Sequence, residues 1–227
     1  MRHRIEFAPS YTLLTIELEP RESVKVEPGA MVAQTGVAMS TGMGGGFLKG
    51  VRRMMGGESF FVNTFTGESG GGWVSLAPPA PGDIGVFDLE PGRNLFIQSS
   101  SFLACSPQVE TDSKFQGFRG LFSGESLFFL RAYSDSSEGK VFYNSYGAIK
   151  ELTVTPEREL VVDTGHLVAF SDDVEYSVGK VGGIGSLVAG GEGLVMRFSG
   201  NGRVWVQTRN LGSLADKLIP FIPQRGK

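Results

Sequence analysis

The sequence predicts an all-β protein built from three tandem repeats of an antiparallel β-sandwich module, akin to a double-stranded β-helix, in a pseudo-threefold arrangement with very little helix. Three observations predict it: one block of apolar alternation that recurs, a second block that recurs at constant spacing, and a high glycine content. Glycine is 33 of 227 residues without any Gly-x-y period. That is about twice the roughly 7% norm, and with only 11 Pro it excludes collagen and favours a turn-rich β chain.

The first block reads YTLLTIELEPRESVKVEPGAMVAQ at 11–34, GDIGVFDLEPGRNLFIQSSSFLAC at 82–105 and GAIKELTVTPERELVVDTGHLVAF at 147–170. Pro20, Pro91 and Pro156 fall in register, as do Val24, Leu95 and Leu160, then Val26, Ile97 and Val162, and then Ala33, Ala104 and Ala169, all at offsets of 71 and 65. The second block is Gly57-Glu58-Ser59-Phe60-Phe61, Gly124-Glu125-Ser126-Leu127-Phe128 and Gly191-Glu192-Gly193-Leu194-Val195, spaced by 67 residues each time. Strands are expected after it at Trp73-Val74, Val141-Phe142 and Val204-Trp205. Val24 and Val26 alternate with Lys25 and Glu27, the period of a strand and not of a helix. Pro-Gly at 28–29, 81–82 and 91–92 marks turns. The chain therefore reads as a single unit, 1–227, holding repeats at about 11–81, 82–146 and 147–210 and a tail at 211–227. The tail carries a short helix over Leu211–Leu218, stopped by Pro220 and Pro223. Further helical turns are expected at Phe47–Met55 and near 117–122 and 184–189.

Composition excludes several functions. The balance of 21 Lys+Arg against 24 Asp+Glu gives a net charge of −3, and the pI is near 5.5, so the surface is not dedicated to nucleic-acid phosphates. Apolar runs fall far short of the roughly 20 residues that cross a bilayer. Cys105 is the only cysteine, which excludes an internal disulfide and a cysteine-based zinc site and fits a reducing compartment. Met1–Tyr11 holds no apolar stretch of a secretory signal, so the cytoplasm is the expected location.

The PGAMVA-type turn, the loop GMGGGFLKGVRRMMGGESFFVNTFTG, the strand GGGWVSLAPPAPG and the threefold recurrence together resemble the bacterial branch of the altered-inheritance-of-mitochondria family, also called domain of unknown function 124. The resemblance covers essentially the whole chain. It implies a fold similar to the tryptophan RNA-binding attenuation protein, three such repeats per chain and a trimeric ring, with no established activity. Mitochondrial relatives are linked to inner-membrane organisation, but this chain lacks a basic, acid-poor presequence, and similarity of fold does not transfer RNA binding.

Candidate sites are few. In the glycine-rich loop Gly42–Gly57, backbone N–H groups with Lys49, Arg52 and Arg53 offer an anion or partner surface. Its spacing matches neither a Walker loop nor a dinucleotide fingerprint, and a structural loop explains the glycines as well. Leu48, Val51 and Met55 share one face opposite the cations and suit a membrane surface or a protein groove. Glu58, Glu125 and Glu192 recur in all three copies and could form a ring of carboxylates for a cation or for acid–base work, although a Glu between glycine and strand also caps a turn. His3 and His166 are the only histidines, too few and too far apart in sequence for a ligand cluster, and Cys105 reads as a half-buried strand thiol.

No triad, metal motif or cofactor motif is present, so no catalytic, metal or cofactor residue is assigned. The expected function is a non-enzymatic, oligomeric β scaffold or binding module, a homotrimer with a protein partner or a membrane surface. The alternatives are a small-ligand or RNA-binding ring, or an enzyme with a site between repeats.

Overall fold

Strand-forming alternation runs through the whole chain, and the structure, a computed structural model, describes residues 1–43, 61–112, 129–180 and 194–222. Within these residues the strands are β1 (Arg2–Glu6), β2 (Leu13–Leu18), β3 (Ser23–Val26), β4 (Met31–Thr35), β5 (Val37–Met43), β6 (Phe61–Gly67) and β7 (Gly72–Leu76). They continue as β8 (Ile84–Leu89), β9 (Asn94–Gln98), β10 (Phe102–Cys105), β11 (Glu110–Asp112), β12 (Phe129–Tyr133) and β13 (Gly139–Asn144). The last are β14 (Ile149–Val154), β15 (Leu160–Asp163), β16 (Leu167–Ser171), β17 (Val174–Lys180), β18 (Leu194–Gly200) and β19 (Gly202–Gln207). The expected tail helix is α1 (Leu211–Leu218), whose first turn is capped by Asn210 Oδ1 accepting from the Ser213 N–H at 3.0 Å. The helical turns expected at Phe47–Met55, 117–122 and 184–189 lie outside the described residues.

Four antiparallel sheets result, in the orders β1-β2-β7-β4, β5-β6-β3-β10-β13-β8, β11-β12-β9-β16-β19-β14 and β15-β18-β17. The order β2-β7-β4 returns as β8-β13-β10 and β14-β19-β16, and β5-β6-β3 returns as β11-β12-β9 and β17-β18-β15. Both six-stranded sheets are composite. β3 pairs with β10 through Val26 opposite Ala104 and Lys25 opposite Cys105. β9 pairs with β16 through Ile97 opposite Ala169, Phe96 opposite Phe170 and Leu95 opposite Ser171. A register shift falls between Met31 and Ala33, between Phe102 and Ala104, and between Leu167 and Ala169, leaving Val32, Leu103 and Val168 as the extra residues of three bulges. β1 was not anticipated by the repeat pattern. Its sequence RHRIE has little apolar content, and it forms by pairing along β2.

Apolar burial follows the same scheme. The first core cluster contains Leu14, Ile16, Val24, Phe65 and Val74, and takes in Leu103, Ala104 and Phe142 from the following strands. The second contains Leu89, Leu95, Ile97, Leu130 and Val141, and takes in Val168, Ala169 and Trp205. The third gathers Val154, Val162, Met196, Phe198 and Val204. Each bulge residue after the first thus fills the core of the strands before it.

Polar contacts hold the same joints. Lys25 Nζ donates to the Val109 carbonyl at 2.9 Å and to Glu110 Oε1 at 3.3 Å. Arg93 donates through Nε and Nη2 to Asp172 Oδ1 at 2.9 and 2.7 Å and also pairs with Asp173, while Asn94 donates to Asp172 Oδ2 through its backbone N–H at 2.7 Å and its Nδ2 at 3.0 Å. Burial alone would raise the Asp172 carboxyl, but the hydrogen bonds from Arg93 and Asn94 outweigh it and hold the group below the ordinary Asp value. Glu27, half-buried at the end of β3, is pushed up to about 7 by burial.

At the strand starts, backbone bonds run from the Thr12 N–H to the Gly82 carbonyl (3.1 Å), from the Asp83 N–H to the Gly147 carbonyl (3.0 Å) and from the Thr208 N–H to the Ala148 carbonyl (3.0 Å). Gly82 is there because a Cβ would overlap the Ser145 carbonyl. A pseudo-threefold closed within one chain would join the outer edges of β4 and β15. Neither edge has a strand partner among the described residues, so that closure is not made between them.

Three outcomes follow for stability in urea. Gly82→Ala is expected to lower it by at least about 2 kcal/mol, because backbone has to move to admit the methyl. Asp172→Ala is expected to cost about 2 kcal/mol near neutral pH by orphaning Arg93 and Asn94. Asp172 is lowered in the folded chain, so its contribution is present above the ordinary value of 3.8 and is lost as pH falls through the folded value, and the cost of the substitution shrinks there. Glu27 is raised, so the folded state is favoured most below 4.5 and loses stability as pH rises through about 7. Glu27→Gln is expected to remove that decline, gaining about 1–2 kcal/mol at about pH 8 and nothing at about pH 4.

Candidate functional site

The sequence-predicted cations Lys49, Arg52 and Arg53 and the recurring carboxylates Glu58, Glu125 and Glu192 lie outside the described residues. The strands that bracket them are paired: Met43 stands opposite Phe61, Asp112 opposite Arg131 and Lys180 opposite Leu194. In sequence the six residues fall between β5 and β6, β11 and β12, and β17 and β18.

The two histidines stand apart and have structural partners. His3 packs edge-on against Phe142 with ring centroids 5.1 Å apart, and burial, reinforced by Lys140, lowers its pKa. His166 Nδ1 is 2.8 Å from the Gln207 carbonyl, and Gln207 Nε2 donates to the Gly165 carbonyl at 3.0 Å. Cys105, expected to be half-buried, is fully buried because β10 is flanked by β3 and β13 and its thiol points into the second core. Burial pushes that thiol up to about 12, so it stays protonated and unreactive at neutral pH.

A cleft of about 580 Å³ opens beside the amino terminus, lined by Met1, Glu22, Asp88, Glu90, Gln108 and Lys140 among others. Its two cations are paired, the Met1 amino group lying 2.6 Å from Glu22 and Lys140 pairing with Asp88, so the lining carries an excess of carboxylates in Glu90 and Glu138. Among the described residues no group of three His, Cys, Asp or Glu is placed to hold a metal ion. No described helix is long and apolar enough to cross a membrane.

The surface feature that stands out is apolar. All five residues of β4 are exposed, with Met31 at 42% and Val32 at 58%, whereas every residue of the counterpart strands β10 and β16 is buried. The difference has a simple cause: β10 lies against β3 and β16 against β9, while nothing described lies on the outer side of β4. Met39 on β5 is 52% exposed. At the far end of the row Val161, on the edge strand β15, is 44% exposed. A second apolar ridge comes from α1 and the turn after it, where Leu211, Leu214, Leu218, Ile219, Phe221 and Ile222 are all exposed. Sequence reasoning missed both surfaces. Met31-Val32-Ala33 looks the same as the buried triplets Phe102-Leu103-Ala104 and Leu167-Val168-Ala169. What separates them is the neighbouring strand, which local sequence does not show.

Comparison with known proteins adds the lineage. The chain is 30% identical over 233 aligned residues to an uncharacterized protein of Streptococcus pyogenes serotype M6, covering 98% of this chain and 92% of that one. It is also similar to the crystal structure of a Streptococcus pyogenes protein, with a TM-score of 0.80, 29% identity and coverage of 97% of this chain and 99% of the other. That similarity extends the all-β, antiparallel architecture to an experimentally solved relative. Residues 3–209 match the family described as mitochondrial biogenesis AIM24, and the chain belongs to that family.

Proposed function

We propose that this protein is a non-enzymatic β scaffold that acts by assembling with further copies of itself and presenting the assembly to a protein partner or a membrane surface. The observation that supports the reading is the fully exposed β4 beside two fully buried counterparts. A strand edge with exposed apolar side chains is a site for strand addition, and natural proteins protect such edges when they are not used. The aromatic side chains favour a scaffold over a nucleic-acid platform: Phe65, Phe129, Phe142, Phe170 and Phe198 are buried and unavailable for stacking on bases. Three repeated units per chain, a ring related to that of the tryptophan RNA-binding attenuation protein and a cytoplasmic location complete the proposal. The trimer comes from the family resemblance, and the partner-facing parts are the Lys49, Arg52 and Arg53 loop and the apolar ridge of α1.

Native mass spectrometry and light scattering on the full chain test the assembly. The expected species is a trimer of about 73 kDa, three times the 24.4 kDa chain. A monomer at micromolar concentration overturns self-assembly, and turnover of a substrate abolished by Glu58→Gln overturns the non-enzymatic reading.

A further inference from the structure

We propose that the free edge of β15 in one copy pairs antiparallel with the free edge of β4 in the next, in the register already used twice within the chain. The inference deepens the self-assembly reading and rests on it. Its basis is that the two internal joints are equivalent in sequence position. Moving Val26 opposite Ala104 forward by 71 on one strand and 65 on the other gives Ile97 opposite Ala169, which is the observed pair. The same step once more, wrapping to the start of a second copy, gives Val162 opposite Ala33, Val161 opposite Gln34 and Leu160 opposite Thr35.

The side chains at the two free edges fit this register. In the first joint Lys25 reaches across to Val109 and Glu110, and in the second Phe96 stacks on Phe170 with centroids 5.0 Å apart. The residue in that position on β15 is Val161, and the residue matching Glu110 on the first unit, by the register of the two hairpins, is Ala38. Both are apolar and exposed, so the third joint is hydrophobic where the first is ionic. Val32 occupies the bulge position whose counterparts Leu103 and Val168 fill the preceding core. In the assembly it would enter the third core, beside Val162 and Phe198 of the neighbouring copy. Such a contact joins two different surfaces, so it propagates head to tail and closes into a ring when the rotation per chain permits.

Two exposed charged substitutions test it on the full chain, because neither disturbs a buried position. Val161→Asp spoils one edge and Val32→Lys the other, and each protein alone is expected to be a folded monomer of 24.4 kDa. An equimolar mixture retains one intact β4 and one intact β15 on different chains, so it is expected to give a capped heterodimer of about 49 kDa, twice the chain mass. Register is read by disulfide trapping. Gln34→Cys mixed with Val161→Cys is expected to form a reducible mixed dimer on oxidation, since directly opposed strand residues bring Cβ atoms within disulfide reach and Cys105 is buried. If the unaltered protein is oligomeric but its assembly survives both substitutions, or no mixed dimer is trapped, this joint is wrong and self-assembly stands. If the unaltered protein is a monomer, both fail.

Discussion

A β-strand satisfies its backbone by lying between two others, and this single requirement organises the molecule. The chain meets it by lending strands: β10 completes the edge of β3, and β16 completes the edge of β9. Because each loan also carries a bulge residue and an alanine into the neighbouring core, hydrogen bonding and apolar burial are satisfied by the same contact. Each joint is consequently held by two kinds of contact at once, which the outer edges of β4 and β15 lack among the described residues.

The chemistry of the joints differs while their geometry does not. One is closed by a lysine on a carbonyl and a carboxylate, the other by stacked phenylalanines and the Arg93, Asn94 and Asp172 network. A tandem protein with three identical joints could pair its units in the wrong order. Distinct side chains at matching positions make mispairing costly, since Lys25 against Phe170 would bury an unpaired ammonium and Phe96 against Glu110 would desolvate a carboxylate.

Strand identity was legible because period-two alternation is a local property: Val24 with Val26, and the strands expected at Trp73, Val141 and Val204, fall inside β3, β7, β13 and β19. The end of α1 was legible for the same reason, being written in Pro220, whereas its cap at Asn210 was not singled out. What local reading could not supply is which strands sit side by side. That is why β1 went unseen, why Cys105 was expected to be half-buried, and why the exposed Met31 and Val32 looked like core. The candidate site followed the same division. Glycines and charges drew attention to 42–57 and to Glu58, Glu125 and Glu192, whereas the surface that topology exposes is an ordinary-looking apolar strand.

The sharing of side chains between cores also governs how the chain is made. The first cluster lacks Leu103, Ala104 and Phe142 until synthesis has passed well beyond its own strands, so an emerging amino-terminal segment carries an unfinished interior. Completion then moves along the polypeptide as a wave, each segment sealing the one before it, and the second core is finished only when Val168, Ala169 and Trp205 have been made. A ribosome that stalls between units would release a protein with a wet core, and quality control would meet it as a misfolded chain and not as a shorter native one.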